Sequence, residues 1–291
     1  MSNAADAQRR QLREVLAYFG LTFGISWGGV LLVAGFPAST AVKAQDNPLF
    51  PLAVLATLAG PSVSGLLVTV LSDRPNGLRA LWARMLTWRL SASSYTLALL
   101  TAPAIASVVT LLLSAASPAF APGLLAADDK VATLGLGIVM GVTAGFFEEL
   151  GWTGCALPRL RRLLSPVTAG LVLGVLWSAW HVPVIVWGIG DRGGDVPLPV
   201  FLLVDGLSGL PAFRVLMTLV YDRTESLLLG MLMHGSLTAT VLIMTPSVTG
   251  VALLAYGLSF AAGTWPVIGL LRRQPVTAGD RRRPDAPHAP A

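Results

Sequence analysis

Charge is what this chain has least of: 12% of its 291 residues are Asp, Glu, Lys or Arg, against roughly 25% in soluble domains. With 54% hydrophobic residues and a mean hydropathy of +0.70, that deficit excludes a water-soluble globular protein. Cysteine is nearly absent too. The single Cys155 rules out an intramolecular disulfide and reads as a small buried residue near a helix end. No stretch is long and polar enough to form a separate soluble domain. No internal repeat is evident, which argues against a transporter built from inverted halves, such as one using Glu148 and Asp205 for protons. Histidine is also scarce, with three in the chain.

What the chain has instead is apolar runs. Crossing about 30 Å of hydrocarbon takes about 20 mainly apolar residues in a helix, the form that satisfies its own backbone hydrogen bonds there. Such runs occur at 15–36, 51–71, 94–116, 131–157, 167–189, 200–221, 226–245 and 250–271. They predict an all-α, polytopic membrane bundle of about eight transmembrane helices. Turn-forming breaks such as Asp73-Arg-Pro-Asn-Gly77 and Gly193-Gly-Asp195 separate them. Residues 1–14 form a short N-terminal segment and 15–271 the membrane domain, with its motif core at 131–245. Residues 272–291, rich in Pro, Ala and Arg, read as a disordered tail. The first apolar run exceeds the core of a cleaved signal peptide and lacks a small-x-small site after it, so it reads as a retained anchor.

The basic residues are one-sided. Seventeen of the 20 Lys and Arg fall at the N-terminus, in alternate loops and in the tail: Arg9, Arg10, Arg13, Arg74, Arg79, Arg84, Arg89, Arg159, Arg161, Arg162, Arg223, Arg272, Arg273, Arg281, Arg282 and Arg283, with Arg214 counted at a helix end. The other face has Lys43, Lys130 and Arg192. Because cytoplasmic loops carry the positive excess, both termini are expected in the cytoplasm of a multi-pass cell-membrane protein. The pI near 10.0 follows from this topology and implies no nucleic-acid partner.

An ionisable side chain at bilayer depth costs at least about 2.5–3.5 kcal/mol and is a functional candidate for that reason. Four qualify: Glu148 and Glu149 in Phe147-Glu-Glu-Leu-Gly-Trp-Thr-Gly154, His181 in Trp177-Ser-Ala-Trp-His181, and His234 in Met233-His-Gly-Ser-Leu-Thr238. Counting about 1.5 Å per residue from the basic end of each helix gives compatible depths. Trp177 and His181 share a helix face, as do His234 and Thr238. Gly141 with Gly145, and Gly170 with Gly174, are small-xxx-small pairs that allow close helix approach.

Chemically, Glu148, His181 and His234 fit the donor set of a catalytic zinc, with a second carboxylate as base. They fit metal-free hydrolysis equally well, with a glutamate activating water, one histidine orienting it, and the other with a hydroxyl stabilising the oxyanion. Spacing alone also permits a structural arrangement, in which each histidine bonds a carbonyl of a neighbouring helix and Glu149 pairs with Arg159 or Arg161.

At these residues the sequence resembles the CPBP family of intramembrane proteases, which includes the type II CAAX prenyl endopeptidases and the bacteriocin-processing and immunity proteins. The family motif Glu-Glu-x-x-x-Arg-Gly is matched at Glu148-Glu149-Leu-Gly-Trp-Thr153-Gly154, with Thr153 in place of the arginine. The aromatic-xxx-His motif is matched by Trp177 and His181. The His-x-x-x-Asn/Asp motif is matched at His234, with Thr238 in its last place. Gly60-Pro61 opening the second helix, Trp88-Arg89 and Leu157-Pro-Arg-Leu160 also fit. The resemblance implies an intramembrane endopeptidase acting on a peptide or lipidated peptide near the cytoplasmic leaflet. In that reading Glu148 and His181 activate water, His234 and residue 238 hold the oxyanion, and Glu149 supports or faces a metal. The alternative it implies is a non-catalytic relative that binds a peptide or confers bacteriocin self-immunity. Thr153 cannot supply the fixed cation that the motif arginine implies beside the two carboxylates, and Thr238 offers a hydroxyl of shorter reach than an amide, so the two threonines favour the non-catalytic relative while Glu148, Glu149, His181 and His234 favour catalysis. Trp152, Trp177, Trp180 and Trp187 read as lining a lipid or prenyl groove or as core and interface aromatics, and Asp205 with Ser208 as a helix-packing pair.

Overall fold

Leucine and valine face outward around the whole molecule: Leu32 is 89% exposed, Val131 80% and Leu111 72%. Water would penalise that surface, but lipid tails do not. The computed structural model describes residues 2–34, 48–73, 76–183, 185–186 and 192–274, all helical or connecting. Lys43, Arg74, Trp187, the end of the fifth predicted span and the tail beyond Gln274 lie outside the described residues.

The helices are α1 (Ser2–Ala34), α2 (Phe50–Ser72), α3 (Gly77–Met85), α4 (Ala92–Ala116), α5 (Gly123–Ala126), α6 (Lys130–Gly151), α7 (Leu157–Arg161), α8 (Pro166–Trp180), α9 (Leu198–Gly206), α10 (Gly209–Thr224), α11 (Leu227–Met244) and α12 (Gly250–Arg273). A π-helical turn, Trp152–Ala156, joins α6 to α7. Among the described residues, seven stretches are long and apolar enough to cross a membrane, and α8 is a shorter apolar helix at the fifth predicted span. That span is interrupted by a turn at His181, the C-cap of α8, and helical backbone resumes at residues 182–183, with the Ile185 N–H donating to the His181 carbonyl at 2.9 Å. The sixth is two helices, broken where Leu207 and Ser208 lie between Gly206 and Gly209; Ser208 Oγ donates to the Asp205 carbonyl at 2.7 Å. The basic second loop contains an amphipathic helix, α3, with Leu81 buried and Trp82 turned outward. Gly60-Pro61 lies mid-helix in α2 rather than at its start.

Two mid-helix prolines show how such a bundle keeps its backbone satisfied. Pro61 cannot donate to the Thr57 carbonyl, and Ser26 Oγ of α1 donates to it instead at 2.7 Å. Pro103 of α4 likewise frees the Leu99 carbonyl, which accepts from Ser236 Oγ of α11 at 2.7 Å. With no water in the hydrocarbon layer, a neighbouring helix must fill this role. Ser236→Ala is therefore expected to lower stability by about 0.6–1.7 kcal/mol, read as a reduced thermal unfolding midpoint in detergent. An unchanged midpoint would show that the freed carbonyl needs no partner.

Small residues set the crossings that matter for the site. A Cβ on Gly141 or Gly145 of α6 would lie 2.4 Å from the Gly235 or Met231 carbonyl oxygen of α11. On α8, a Cβ on Gly170 or Gly174 would lie 2.7 or 2.5 Å from the α10 backbone at Val215 or Pro211. Both glycine pairs thus mark close helix contacts, and they bring the second half of α6 against α11 and the middle of α8 against α10.

At the end carrying the basic loops, Arg159 joins three elements. It donates to Glu14 at 3.0 Å and Asp73 at 2.6 Å, and to the Cys155 carbonyl at 3.1 Å. Arg161 pairs with Asp222 at 2.8 Å.

Candidate active site

Glu148 and Glu149 occupy the last turn of α6, immediately before the π turn, and point to different partners. The Oε2 atom of Glu148 accepts from the indole of Trp177 at 2.9 Å and from that of Trp152 at 3.3 Å. His234 Nε2 lies 3.9 Å from the same oxygen. Glu149 is held on both oxygens: Arg214 Nη1 donates to Oε2 at 2.9 Å and Nη2 to Oε1 at 2.8 Å. Thr153 Oγ1 also donates to Oε2, and His234 Nδ1 lies 2.7 Å from Oε1. None of Glu148, Glu149, Trp152, Thr153, Trp177, Arg214 and His234 is more than 4% exposed.

The chemistry of these partners fixes the histidines. A carboxylate gripped by a guanidinium can only accept, so Nδ1 of His234 carries a proton and Nε2 is the nitrogen turned toward Glu148. His181, the C-cap of α8, has Nδ1 2.8 Å from the Trp177 carbonyl oxygen, also an acceptor, so its Nε2 is likewise the free nitrogen. Its ring lies 5.4 Å from Trp177 and 4.8 Å from Trp180, and Trp177 lies 4.8 Å from His234 between the two imidazoles. The Arg214 guanidinium sits 4.2 Å over the Trp177 ring.

The helices expected to meet do so, bringing Glu148, Glu149, Thr153, Trp177 and His234 into one buried cluster with His181 at its edge. Thr238 lies one turn beyond His234 on α11, half-buried, and takes no part in the network around Glu149. The purely structural pairings read from spacing are not those observed: Glu149 engages Arg214, while Arg159 and Arg161 have other partners.

Two participants escaped the sequence reading. Arg214 was counted as a helix-end residue, but its side chain is fully buried at the centre of the cluster. Its signal was available, since it is a lone cation in the run Ala212-Phe-Arg-Val-Leu-Met217, nine residues before the next basic residue, Arg223. Trp152, read as a groove or core aromatic, is a donor to Glu148.

Among the described residues, no three His, Cys, Asp or Glu side chains are grouped to ligate a metal ion. The partners seen leave Nε2 of His181, Nε2 of His234 and one oxygen of Glu148 uncommitted, so these are the atoms that would hold a metal ion if the three side chains drew together.

Comparison with known proteins agrees with the motifs. Residues 130–240 match the family model described as type II CAAX prenyl endopeptidase Rce1-like, a segment spanning α6 through most of α11 and holding every residue of the cluster. A 42-residue stretch is 45% identical to CAAX prenyl protease 2 of Methanococcus maripaludis, covering 14% of this chain and 16% of that protein.

Proposed function

We propose that this chain is an intramembrane endopeptidase of the cell membrane. It hydrolyses a peptide, or a peptide bearing a lipid such as a prenyl group, from the leaflet facing its basic loops. The observation that carries this reading is the division of labour between the two buried carboxylates. Glu149 is neutralised by Arg214, whereas Glu148 meets two indole donors and a histidine on a single oxygen, Oε2. Its other oxygen is the one offered to a water molecule.

In the proposed reaction Glu148 takes a proton from that water while the oxygen attacks the scissile carbonyl. The proton then passes to the departing amide nitrogen. His181, with Nδ1 tied to the Trp177 carbonyl, orients the water through Nε2. With Nδ1 held by Glu149, His234 stabilises the developing oxyanion once Nε2 is protonated as well, together with the hydroxyl of Thr238. The scheme is written without zinc, in keeping with the lack of a three-donor group among the described residues.

The non-catalytic alternative rested on Thr153 standing where the resembling family has arginine and on Thr238 standing where it has Asn or Asp. Arg214 already supplies a cation to Glu149, which favours the catalytic reading. The purified chain in nanodiscs, incubated with farnesylated and unmodified forms of one peptide ending in a Cys-aliphatic-aliphatic-X sequence, is expected to yield new termini by mass spectrometry. Cleavage should persist after chelation with phenanthroline. Absence of cleavage from both peptides and from a general peptide library would favour the binding protein, and loss on chelation with recovery on zinc would overturn the metal-free scheme.

A further inference from the structure

We propose that Arg214, on α10 and outside all three sequence motifs, is a positioning residue of the site: through Glu149 it fixes the orientation and tautomer of His234, and through Trp177 it steadies Glu148. The proposal builds on the protease reading above but is testable apart from it.

The observations form one continuous chain. Arg214 is fully buried, and a buried guanidinium persists in a membrane interior only when paired. Its pairing is bidentate, the geometry that best fixes a carboxylate in place. The carboxylate so fixed presents Oε1 to His234 Nδ1 at 2.7 Å. That contact determines which imidazole nitrogen is protonated and turns Nε2 toward Glu148, 3.9 Å away. The same guanidinium lies against the face of Trp177, whose N–H holds Glu148. One cation therefore reaches both carboxylates, touching Glu149 directly and Glu148 through an indole.

Arg214 also accounts for Thr153. That hydroxyl donates to Glu149 Oε2, the same oxygen that takes Arg214 Nη1, so residues 153 and 214 converge on one atom from different helices. A cation at either position can meet the carboxylate, and this chain draws it from α10. Gly170 and Gly174 make that geometry reachable by letting α10 approach α8 at backbone distance at Val215 and Pro211, one residue after and three before the arginine.

The test pairs turnover with a readout that does not depend on it. In protein labelled with ¹⁵N-histidine, the His234 signal, assigned by its loss in His234→Gln, is expected to report a protonated Nδ1 in the parent. Arg214→Met should shift that signal toward a mixture of tautomers and reduce turnover roughly 100-fold, with KM little changed. Arg214→Lys, which keeps the charge but not the fork, should give an intermediate result. Arg214→Met combined with Thr153→Arg should restore both the tautomer and most of the turnover. Should Arg214→Met disturb folding, Arg214→Met with Glu149→Gln removes both charges and should still show the mixed tautomer. An unchanged His234 signal in Arg214→Met and Arg214→Lys would overturn the proposal, as would a double replacement that recovers neither signal nor turnover. A parent that cleaves nothing while its His234 tautomer follows Arg214 would uphold the positioning role and reject the protease reading.

Discussion

Glu148→Gln is expected to reduce peptide hydrolysis by about 10²–10⁴-fold while leaving the folded protein intact. The amide keeps an oxygen that can accept from Trp152 and Trp177, so the two indoles hold it much as they hold the carboxylate. What it loses is the ability to take a proton from water. Glu149 is committed to Arg214, Thr153 and His234, and His181 has a backbone carbonyl rather than a carboxylate behind it, which leaves His234, backed by Glu149, as the base that sets the residual rate. Turnover of the same peptide by parent and variant, compared at equal thermal midpoints, measures the effect. Parent-like turnover in the variant would remove Glu148 from the reaction.

The second large effect is expected from a residue without a side chain. Gly145→Leu places a Cβ 2.4 Å from the Met231 carbonyl oxygen and 3.0 Å from the Gly235 nitrogen, and those are backbone atoms that no rotamer change can move. The helices must part, and overpacking of this kind costs about 1–3 kcal/mol or more. Parting α6 from α11 also stretches the 2.7 Å contact between Glu149 and His234, so activity should fall with stability. Gly135→Leu on the same helix is the control, since a Cβ there meets nothing within 4 Å and should change neither quantity. Equal behaviour of the two variants would show that the α6 to α11 crossing does not set the site.

Most of the helices and most of the cluster were legible in the sequence because the membrane makes them so. Long apolar runs have one structural solution in lipid, and an ionisable residue within one has to justify its position energetically. The glycine pairs were readable for the same reason, as contacts between helices in lipid depend on close approach rather than on apolar burial. Arg214 was missed because its helix was counted from one end as a single span. The break at Leu207 and Ser208 and the extension to Thr224 shift the frame, so a residue that seemed terminal is central. The interruption at His181 was missed because the apolar run continues past it, and hydropathy does not register a local turn. The helix within the basic loop was missed because charge marks a side of the membrane without excluding structure there.

The π turn at Trp152–Ala156 has a consequence for how this region tolerates change in length. It is a phase slip between two stretches of one spanning helix. Upstream, α6 aims Glu148 and Glu149 into the cluster; downstream, Arg159 faces the other way to clasp Glu14 and Asp73. The π turn already holds one residue more than an α turn, so a loss within it can be absorbed as regular α-helix, whereas one residue gained at Leu150 or Gly151 would leave composition and hydropathy almost untouched yet turn everything beyond by about 100°. Arg159 would then swing away from both of its carboxylates, and Thr153 away from Glu149. The spacing between the two glutamates and Leu157-Pro-Arg-Leu160 thus acts as a mechanical gear: the segment accepts substitution far more readily than a gain in its count of residues.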